Sequence, residues 1–305
     1  VFKLSQFRPK QEKIIQSCLN REDIIVVQAT GSGKSLCYQL PAVCVPRLTI
    51  VISPLISLIH DQVTYLKSLG IKATYLSSAR HKPQIISKLL KNHYRILYVT
   101  PERVVESEKF TDTMNQMYRK NWLERIVIDE AHCISKWGHD FRYDYRRLHI
   151  VRQNFPTVPI MALTATASPE VKTDIIHSLN INPRKFESSF NRKNLFYEIR
   201  HKTTFNEMVK DISTYIKEKQ PDSCGIIYCH SKKESAKISE ELNALDHSTA
   251  VYHADIGSGK KVENHDMWKN GDIKIMVATV AFGMGIDKPD VRFIIHSSMA
   301  KSIED

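Results

Sequence analysis

The sequence contains no run of about eighteen apolar residues, the length that a helix needs to cross a membrane. Its first five residues, Val-Phe-Lys-Leu-Ser, also lack the basic, apolar and small-residue segments of a secretory signal. These two absences argue against a membrane-spanning or secreted protein. We therefore expect the protein to stay inside the cell.

Cysteine and acidic residues are both in short supply. The chain has six cysteines, and the two nearest in sequence, Cys224 and Cys229, have four residues between them, a spacing that is not typical of a zinc site. We interpret all six as reduced thiols of a reducing compartment. Lys and Arg number 44 against 33 Asp and Glu, so the net charge is +11. This charge favours a polyanionic partner, although a solvated basic surface would carry the same charge.

The chain is otherwise of ordinary globular composition, with 42% hydrophobic and 25% charged residues, and its 305 residues are enough for two domains. Apolar segments alternate regularly with amphipathic ones. The strands predicted from the apolar segments are residues 24–27, 48–52, 73–76, 95–99, 123–128 and 160–163, and the helices between them include residues 58–67, 83–91 and 169–179. This alternation predicts an α/β fold with a parallel sheet covered by helices on both faces.

Residues 28–35, Gln-Ala-Thr-Gly-Ser-Gly-Lys-Ser, have the pattern of a phosphate-binding loop between the predicted strand 24–27 and a helix. Gly31 and Gly33 let the backbone approach a phosphate closely, and the N-terminus of the following helix adds partial positive charge. The motif usually begins with glycine, but here Gln28 occupies that position. The rest of the loop is intact and predicts nucleotide binding.

Four predicted strands are followed by hydroxyl-bearing or charged residues. These segments are residues 53–55, 100–103, 129–132 and 164–166. In a parallel sheet the carboxyl ends of the strands meet at one edge, which is where ligands bind in open α/β folds. A turn explains any one segment, but not the same feature at four strand ends.

The side chains of the loop and of the segment 129–132 together predict metal-dependent phosphate chemistry. Lys34 can reach the β- and γ-phosphates, and the Ser35 hydroxyl can bind Mg²⁺. Asp129 can hold the Mg²⁺ shell, and Glu130 can orient and deprotonate an attacking water. The nucleotide-binding residues predicted in the loop are Gly31, Ser32, Gly33, Lys34 and Ser35.

Beyond residue 183 the pattern loosens, and residues 184–194 are predicted to form a linker. A second alternating series follows, with strands at residues 225–229, 250–252, 273–278 and 291–295 and without a phosphate loop of its own. Its most unusual segment is residues 278–287, whose glycines permit close approach to a ligand. We therefore predict two domains, residues 1–190 and 191–305.

These motifs together resemble the motor core of the RecQ DNA helicases, in their order and over nearly the whole chain. The matching segments are residues 7–11, 28–41, 53–58, 129–132, 162–167, 225–229, 252–254 and 277–296. The resemblance implies two RecA-like P-loop domains, the second incomplete, with ATP between them. In detail the chain looks most similar to the eukaryotic Bloom-type members.

Residues 133–145, Cys-Ile-Ser-Lys-Trp-Gly-His-Asp-Phe-Arg-Tyr-Asp-Tyr, resemble the aromatic-rich loop that separates RecQ proteins from related helicases. Trp137 and Phe141 offer ring faces for stacking on DNA bases, and Arg142 can contact a phosphate or a ring. Because the loop directly follows the acidic box, DNA contact could adjust the hydrolytic site. The loop departs from the family at Lys136, where Gln is usual, and at Tyr143, where Pro is usual.

The resemblance also implies roles for residues elsewhere in the chain. Gln11, whose amide has a donor and an acceptor, would read adenine with help from Arg8. Gly285 and Asp287 would approach the nucleotide from the second domain. The residues predicted to contact DNA are Thr100, Arg103, Trp137, Phe141, Arg142, Ser231, His253 and Thr279. Backbone contacts of this kind carry no sequence information, which suits a motor that moves along any strand.

The implied activity is that of an ATP- and Mg²⁺-dependent DNA helicase, moving 3′ to 5′ on single-stranded DNA and unwinding duplexes in recombination and repair. Its partners would be single-stranded and forked DNA, no membrane, and repair or recombination proteins that bind regions outside this chain. Its location would be the nucleus in a eukaryote and otherwise the cytoplasm.

RecQ motors have a further motif with an arginine finger a little beyond the position of residue 305. Such a finger contributes about 10³ to 10⁵ in rate. We therefore expect these residues to be a fragment that binds ATP and DNA but hydrolyses ATP poorly. Two alternatives stay open: an RNA helicase of the same superfamily, and a nucleic-acid-binding scaffold without catalysis.

Overall fold

The computed structural model describes residues 1–77, 83–137, 142–189, 191–202, 204–280, 282 and 288–299. Residue contacts divide the chain into two compact units, one holding Val1–Leu195 and the other beginning at Phe196. Within these described ranges, no helix combines the length and the apolar character needed to span a bilayer. Each unit is built on its own parallel sheet.

The first unit contains a seven-stranded sheet. In chain order the strands are β1 (Ile24–Val27), β2 (Leu48–Ile52), β3 (Ala73–Leu76), β4 (Ile96–Val99), β5 (Leu123–Ile128), β6 (Ile160–Thr164) and β7 (Arg184–Glu187). In space they lie in the order β3-β4-β2-β5-β6-β1-β7, with parallel pairing between neighbours. The carboxyl ends of β2, β5, β6 and β1 are therefore adjacent in the middle of the sheet.

The central strands are buried along their whole length because both faces of the sheet are covered. In β1, Ile24 and Val26 pack into one hydrophobic core, whereas Ile25 and Val27 pack into the core on the opposite face. All four side chains are buried. Burial on both faces explains the continuous β-branched run in the sequence, since a strand with one wet face would alternate with polar residues.

Helices connect these strands. They are α1 (Gln11–Leu19), α2 (Leu36–Cys44), α3 (Ile56–Ser68), α4 (Pro83–Leu89), α5 (Pro101–Glu106), α6 (Glu108–Arg119), α7 (Tyr143–Arg146), α8 (Ile150–Asn154) and α9 (Pro169–Leu179), with a short 3-10 helix at Ala131–Ile134 after β5. The predicted start of α9 is confirmed. The Ser168 hydroxyl accepts a hydrogen bond from the Val171 N–H, and Pro169 occupies the first turn.

The prediction of a linker over residues 184–194 was wrong at its beginning. β7 (Arg184–Glu187) pairs in parallel with β1 and forms an edge of the sheet. Of its four residues only Phe186 is buried, because an edge strand contacts a partner on one side only. Three charged residues around a single apolar one do not give the apolar run or the alternation that marks a strand.

The second unit contains a four-stranded parallel sheet. Its elements in chain order are α10 (Phe205–Lys219), β8 (Cys224–Tyr228), α11 (Lys232–Ala244), β9 (Thr249–Tyr252), α12 (Ser258–Asn270), β10 (Ile275–Ala278) and β11 (Val291–His296). The spatial order is β11-β8-β10-β9. At Gly225 an added Cβ would lie 2.2 Å from the ring of Phe293, so glycine is needed where β8 and β11 pack together. The predicted α/β class, with helix-covered parallel sheets, is confirmed in both units.

Candidate nucleotide site and nucleic-acid interface

The predicted phosphate loop leaves the carboxyl end of β1 and enters α2. Gly31 and Gly33 have φ angles of 80° and 85°, which side-chain-bearing residues rarely adopt. A Cβ on Gly33 would also lie 2.4 Å from Nε2 of Gln11. Both glycines are therefore required by the local backbone, as a loop that turns its amides towards a phosphate demands.

Lys34 is folded back onto the start of the same loop. Its ammonium group donates to the carbonyl oxygens of Gln28 at 2.9 Å and Ala29 at 3.5 Å. Burial lowers the pKa of Lys34, and the nearby carboxylates of Glu130 and Asp129 oppose that shift. The cation thus lies within electrostatic reach of both acidic residues and is held by carbonyls that a phosphate oxygen can replace.

The other predicted residues of the loop also occupy polar, enclosed positions. Ser35 directly precedes α2, and three residues further on the hydroxyl of Tyr38 lies 3.2 Å from the hydroxyl of Tyr98. The Ser32 hydroxyl is buried and has no hydrogen-bond partner among the described residues. An unsatisfied hydroxyl in a phosphate-binding loop indicates a place where a bound ligand supplies the missing partner.

Asp129 directly follows β5 and is partly buried. Its N–H donates to the carbonyl of Ile52 at 2.9 Å, and its Oδ1 accepts from the N–H of Glu130 at 3.1 Å. Burial raises the pKa of Asp129, whereas Lys34 and the Glu130 N–H act in the opposite direction. A cation bound beside this carboxyl group would stabilise its charged form.

Glu130 adopts a left-handed backbone conformation, with φ 50° and ψ 47°. This conformation costs a residue with a side chain about 1 to 2 kcal/mol. Both successive acidic residues are partly buried, and the Glu130 side chain is about one-third exposed. Strain at a predicted catalytic position is consistent with a backbone shaped for chemistry.

His132 connects the acidic box to the end of β6. Its Nδ1 lies 3.3 Å from Oε2 of Glu130 and 2.9 Å from Oγ1 of Thr164. The Thr164 hydroxyl donates to the carbonyl of Thr166 at 2.8 Å, so its oxygen accepts from His132 and the Nδ1 atom carries the hydrogen. The sequence analysis places His132 and Thr164 after predicted strands but assigns no role to either residue.

Gln11 and Arg8 both contact the phosphate loop. The Gln11 side chain is buried, accepting from the N–H of Arg8 at 2.7 Å and donating to the carbonyl of Gly33 at 3.0 Å. The Arg8 guanidinium donates to the carbonyl of Gly31. Each end of the Gln11 amide can form one further hydrogen bond, so the predicted contact with adenine stays a prediction that this geometry permits.

The aromatic-rich loop begins on the buried 3-10 helix and exposes its tryptophan. The Trp137 side chain is exposed, and the residue is 79% exposed overall, although its backbone N–H donates to the buried hydroxyl of Ser135 at 3.2 Å. Together with α9, the Trp137 side chain borders an open depression of about 520 Å³. Phe141 lies outside the described residues. A large aromatic face in solvent is expected for a stacking surface and not for ordinary core packing.

Hydrogen bonds also hold the C-terminal end of the aromatic-rich loop. The N–H of Arg142 donates to the carbonyl of Cys133 at 3.0 Å, and its guanidinium donates to the carbonyl of Pro54 at 3.2 Å. The buried hydroxyl of Tyr145 donates to the carbonyl of Asp129 at 2.9 Å. This contact between the loop and the acidic box was not predicted, because nothing in the sequence distinguishes Tyr145 from a core tyrosine.

Thr100 and Arg103 lie at the carboxyl end of β4, as predicted. The Thr100 hydroxyl is buried and has no hydrogen-bond partner among the described residues. The neighbouring strand β2 is followed by Ser53, whose N–H donates to the carbonyl of Val99 at 3.0 Å and whose buried hydroxyl has no such partner either. Burial lowers the pKa of Arg103. This edge therefore holds unsatisfied hydroxyls next to a cation.

In the second unit the three predicted DNA contacts share one edge of the sheet. Ser231 follows β8 and caps α11, His253 follows β9 and Thr279 follows β10. The N–H of Thr279 donates to the carbonyl of Tyr252 at 3.2 Å, and Nδ1 of His253 is buried without a hydrogen-bond partner in the described part of the chain. Gly285 and Asp287, predicted to approach the nucleotide, lie outside the described residues.

Two family models match the chain. Residues 8–174 match the model described as DEAD/DEAH box helicase, and residues 206–305 match the model described as helicase conserved C-terminal domain. Over the full chain the sequence is 46% identical to ATP-dependent DNA helicase Q-like 4B of Arabidopsis thaliana and 43% identical to ATP-dependent DNA helicase Q1 of Rattus norvegicus. It is 46% identical to RecQ-like DNA helicase BLM of Xenopus laevis over 99% of the chain. The chain spans 27%, 50% and 23% of these relatives' lengths.

Solved helicase structures share the fold. A DUF1998 helicase MrfA bound to DNA superposes with a TM-score of 0.76 at 17% identity, covering 97% of this chain and 45% of that chain. Dbp5 of S. cerevisiae bound to RNA and ADP BeF3 superposes with a TM-score of 0.73 at 16% identity, covering 99% of this chain and 77% of that chain. At these identities the likeness establishes the fold, and it confirms the predicted pair of RecA-like domains.

Proposed function

Because the chain belongs to the DEAD/DEAH box helicase family and is similar to RecQ helicases over its whole length, we propose that it is the motor region of an ATP-dependent DNA helicase. The motor moves 3′ to 5′ on single-stranded DNA and separates the duplex at a fork. Its parent protein acts in recombination and repair, in the nucleus if the organism is a eukaryote. The relatives include both Q1 and BLM helicases at similar identity, so the Bloom-type assignment remains part of this proposal.

One observation carries the proposal: the acidic box and the exposed tryptophan belong to one continuous, well-anchored segment. Asp129 and Glu130 are followed by a buried 3-10 helix that leads to Trp137, and Tyr145 returns to bond the carbonyl of Asp129. Base stacking on Trp137 is worth about 1 to 3 kcal/mol per base. DNA bound there can therefore act on the backbone that positions the hydrolytic residues.

The nucleotide chemistry follows from the residues around the phosphate loop. Lys34 and the loop amides bind the phosphates, and Glu130 removes a proton from the attacking water while His132 orients the Glu130 carboxylate. We divide the chain into a first domain at residues 1–190 and a second at residues 191–305. In the second domain, Gly285 and Asp287 are proposed to approach the nucleotide. Closure and opening of these domains during ATP turnover would move the motor along the strand.

The donor set also fits Mg²⁺. No cluster of three or more His, Cys, Asp or Glu side chains in the described part of the chain could hold a metal by itself. Mg²⁺ uses one or two carboxylates together with substrate phosphates, so Asp129 and the Ser35 hydroxyl are suitable ligands once a nucleotide is bound. When bound, Mg²⁺ neutralises charge that develops on the phosphate oxygens.

We propose one DNA-binding surface on each unit, close to the carboxyl ends of its strands. We assign to them Thr100, Arg103, Trp137, Phe141 and Arg142 in the first unit and Ser231, His253 and Thr279 in the second. Hydroxyls, a cation and an aromatic face suit a sugar-phosphate backbone and stacked bases of any sequence. The net charge of +11 supports binding of a polyanion.

The kind of nucleic acid is tested by comparing single-stranded DNA and RNA of matched sequence as activators of ATP hydrolysis. We expect DNA to stimulate hydrolysis more strongly. Binding to each nucleic acid should be measured in parallel with a non-hydrolysable ATP analogue, so that the comparison does not depend on the rate of hydrolysis. Equal or stronger activation by RNA would assign the chain to the RNA helicases, and no binding of either would support a different function.

Tryptophan fluorescence gives a second test that does not depend on hydrolysis. The chain has three tryptophans, of which Trp268 is fully buried, Trp122 is partly buried and Trp137 is 79% exposed. Acrylamide should therefore quench mainly Trp137, and a Trp137→Phe variant should lose most of the quenchable signal. Single-stranded DNA should protect Trp137 from quenching. Unchanged quenching at saturating DNA would place the strand elsewhere.

A further inference from the structure

Four polar side chains form a hydrogen-bonded network inside the core of the first unit. The hydroxyl of Tyr98 lies at its centre, 3.2 Å from the hydroxyl of Tyr38, and accepts a hydrogen bond from Nε2 of Gln39 at 3.2 Å. The same Nε2 atom donates to Oε1 of Gln62 at 2.8 Å. Tyr38, Gln39 and Tyr98 are buried. These four residues, which we call the Tyr98 network, join α2, α3 and β4.

Apolar side chains could fill the space that the Tyr98 network occupies. The hydrophobic core around it includes Val51, Ile59 and Val63. A polar group inside such a core costs free energy unless hydrogen bonds replace its bonds to water. Phenylalanine in place of either tyrosine would keep the apolar contacts without this requirement. The polar atoms therefore add directional bonds, which fix the orientation of the three elements relative to one another.

One end of the Tyr98 network adjoins the phosphate loop. Tyr38 and Gln39 lie in the first turn of α2, where their N–H groups donate to the carbonyl of Ser35 at 3.3 Å and 3.0 Å. Ser35 and the preceding Lys34 are the residues that we assign to Mg²⁺ and the phosphates. Because a close-packed interior transmits small displacements, a shift of the loop on nucleotide binding would reach the network through one helical turn.

The other end adjoins the strand ends that we assign to nucleic acid. Tyr98 is near the end of β4 and is separated from Thr100 by Val99, whose carbonyl accepts from the N–H of Ser53 at 3.0 Å. Gln62 lies on α3, which begins shortly after Ser53. The hydroxyls of Ser53 and Thr100 are buried and lack a hydrogen-bond partner within the described ranges. Such hydroxyls indicate a place where a ligand supplies the partner.

We propose that Tyr98 and Gln39 are positioning residues that couple nucleotide binding at the phosphate loop to nucleic-acid binding at the edge formed by Ser53 and Thr100. The inference rests on the proposed function and adds to it a connection through the first unit that is separate from the aromatic-rich loop. Tyr98 and Gln39 act through α2 and β4 and do not themselves contact nucleotide or DNA. Because coupling between two sites is reciprocal, each ligand changes the affinity of the other by the same factor.

The test measures this factor in the full chain. The Kd for labelled single-stranded DNA is determined with and without a saturating non-hydrolysable ATP analogue, and the Kd for the analogue with and without DNA. In the unaltered chain we expect both ratios to equal at least about fivefold, and in Tyr98→Phe to fall below about twofold. The Kd for each ligand alone should change little in Tyr98→Phe. An unaltered chain without coupling, or a Tyr98→Phe variant that keeps the full factor, would overturn the proposal.

Gln39→Met tests whether the two positioning residues act together. Methionine has a similar size but cannot donate to the Tyr98 hydroxyl, so the coupling factor should fall as far as it does in Tyr98→Phe. The double variant should be little worse than either single variant, since both remove the same contact. Additive losses, or full coupling in Gln39→Met, would show that the two residues do not form one connection.

A loss of coupling has to be separated from a loss of stability. Thr113→Val is the matched control, because the Thr113 hydroxyl is buried in the same unit and donates to the carbonyl of Lys109 at 2.7 Å. Its helix, α6, packs into the core on the opposite face of the sheet from Tyr98. Thr113→Val should lower the Tm as Tyr98→Phe does but should keep the full coupling factor. An equal loss of coupling in both variants would show that coupling only follows stability, and the proposal would fail.

The outcomes also distinguish this inference from the proposed function. If the unaltered chain binds neither single-stranded DNA nor the ATP analogue, the proposed function fails first. If the unaltered chain binds both and DNA protects Trp137 from acrylamide, while Tyr98→Phe keeps the full coupling factor, only the role of the Tyr98 network is wrong.

Discussion

The nucleotide site, which consists of the phosphate loop and the acidic box, differs in construction from the aromatic-rich loop, which directly follows the acidic box in sequence. Around the acidic box the functional side chains bond to one another or to backbone: Lys34 to loop carbonyls, Asp129 to the Glu130 N–H, and His132 to Thr164. In the described part of the aromatic-rich loop, Ser135 and Arg142 are held by hydrogen bonds, and the Trp137 ring lies in solvent. Chemistry requires groups fixed before the substrate arrives, whereas recognition of any base requires an open aromatic face.

The largest effect is expected on ATP hydrolysis at the acidic box. Glu130→Gln keeps the size of the side chain but removes the base, so ATP hydrolysis should fall by about 10² to 10⁴. Nucleotide affinity should stay nearly unchanged, because Lys34 and the loop amides bind the phosphates. Single-turnover hydrolysis and binding of a fluorescent ATP analogue measure the two effects. Undiminished hydrolysis would remove Glu130 from its assigned role.

A smaller effect is expected from the backbone of the phosphate loop. Gly33→Ala combines an unfavourable φ of 85° with a Cβ 2.4 Å from Gln11, so nucleotide affinity should fall at least about tenfold. Gly70→Ala is the matched control, because Gly70 has a φ of 75° but no atoms within 4 Å of the added Cβ. Both variants should lose about 1 to 2 kcal/mol of stability, and only the first should lose nucleotide affinity. Equal nucleotide affinity in the two would contradict the assignment of the loop.

Tyr145→Phe probes a hydrogen bond that joins the two regions, from the Tyr145 hydroxyl to the Asp129 carbonyl. Removal of the hydroxyl leaves the Asp129 carbonyl without this donor and should reduce stability by about 1 kcal/mol. Stimulation of hydrolysis by DNA should weaken severalfold, whereas basal nucleotide affinity is governed by other groups. Tyr118→Phe is the control, since its hydroxyl bonds to Thr157 at an exposed site. Identical DNA stimulation in both variants would show that this bond does not connect the regions.

The smallest effect concerns the dependence of stability on pH. Burial alone would raise the pKa of Asp174. The guanidinium of Arg146 and the hydroxyls of Ser135 and Ser178 outweigh burial, so the pKa is lowered. A carboxyl group with a lowered pKa stabilises the fold above its unfolded pKa, and this contribution disappears as the pH falls through the folded value. The Tm difference between the unaltered chain and Asp174→Asn should therefore be constant near neutrality and shrink below about pH 4. A difference that grows on acidification would contradict this account.

The parts that could be predicted from the sequence are those specified by local chemistry. The apolar runs of β1 and β5 predict buried strands, and Gly31, Gly33 and Lys34 predict a phosphate loop because few other uses need that order of residues. β7 was missed since its single buried residue, Phe186, leaves no periodic signal.

Contacts between distant segments could not be predicted. The bond between His132 and Thr164 and the ion pair between Arg146 and Asp174 each join residues far apart in sequence, and only the fold brings them together. The left-handed backbone conformation of Glu130 could not be predicted either, because the surrounding structure imposes it and glutamate has no preference for it. The sequence thus predicts which groups react, and the structure adds contacts between these residues that the sequence could not predict.

The central claim is that the exposed ring couples nucleic-acid binding to hydrolysis at the acidic box. The most direct measurement is the ATPase rate of the unaltered chain and of Trp137→Ala, each with and without saturating single-stranded DNA. We expect DNA to raise the rate of the unaltered chain and to have little effect on Trp137→Ala, with similar nucleotide affinity in both. A Trp137→Ala variant that DNA still stimulates fully would contradict the account.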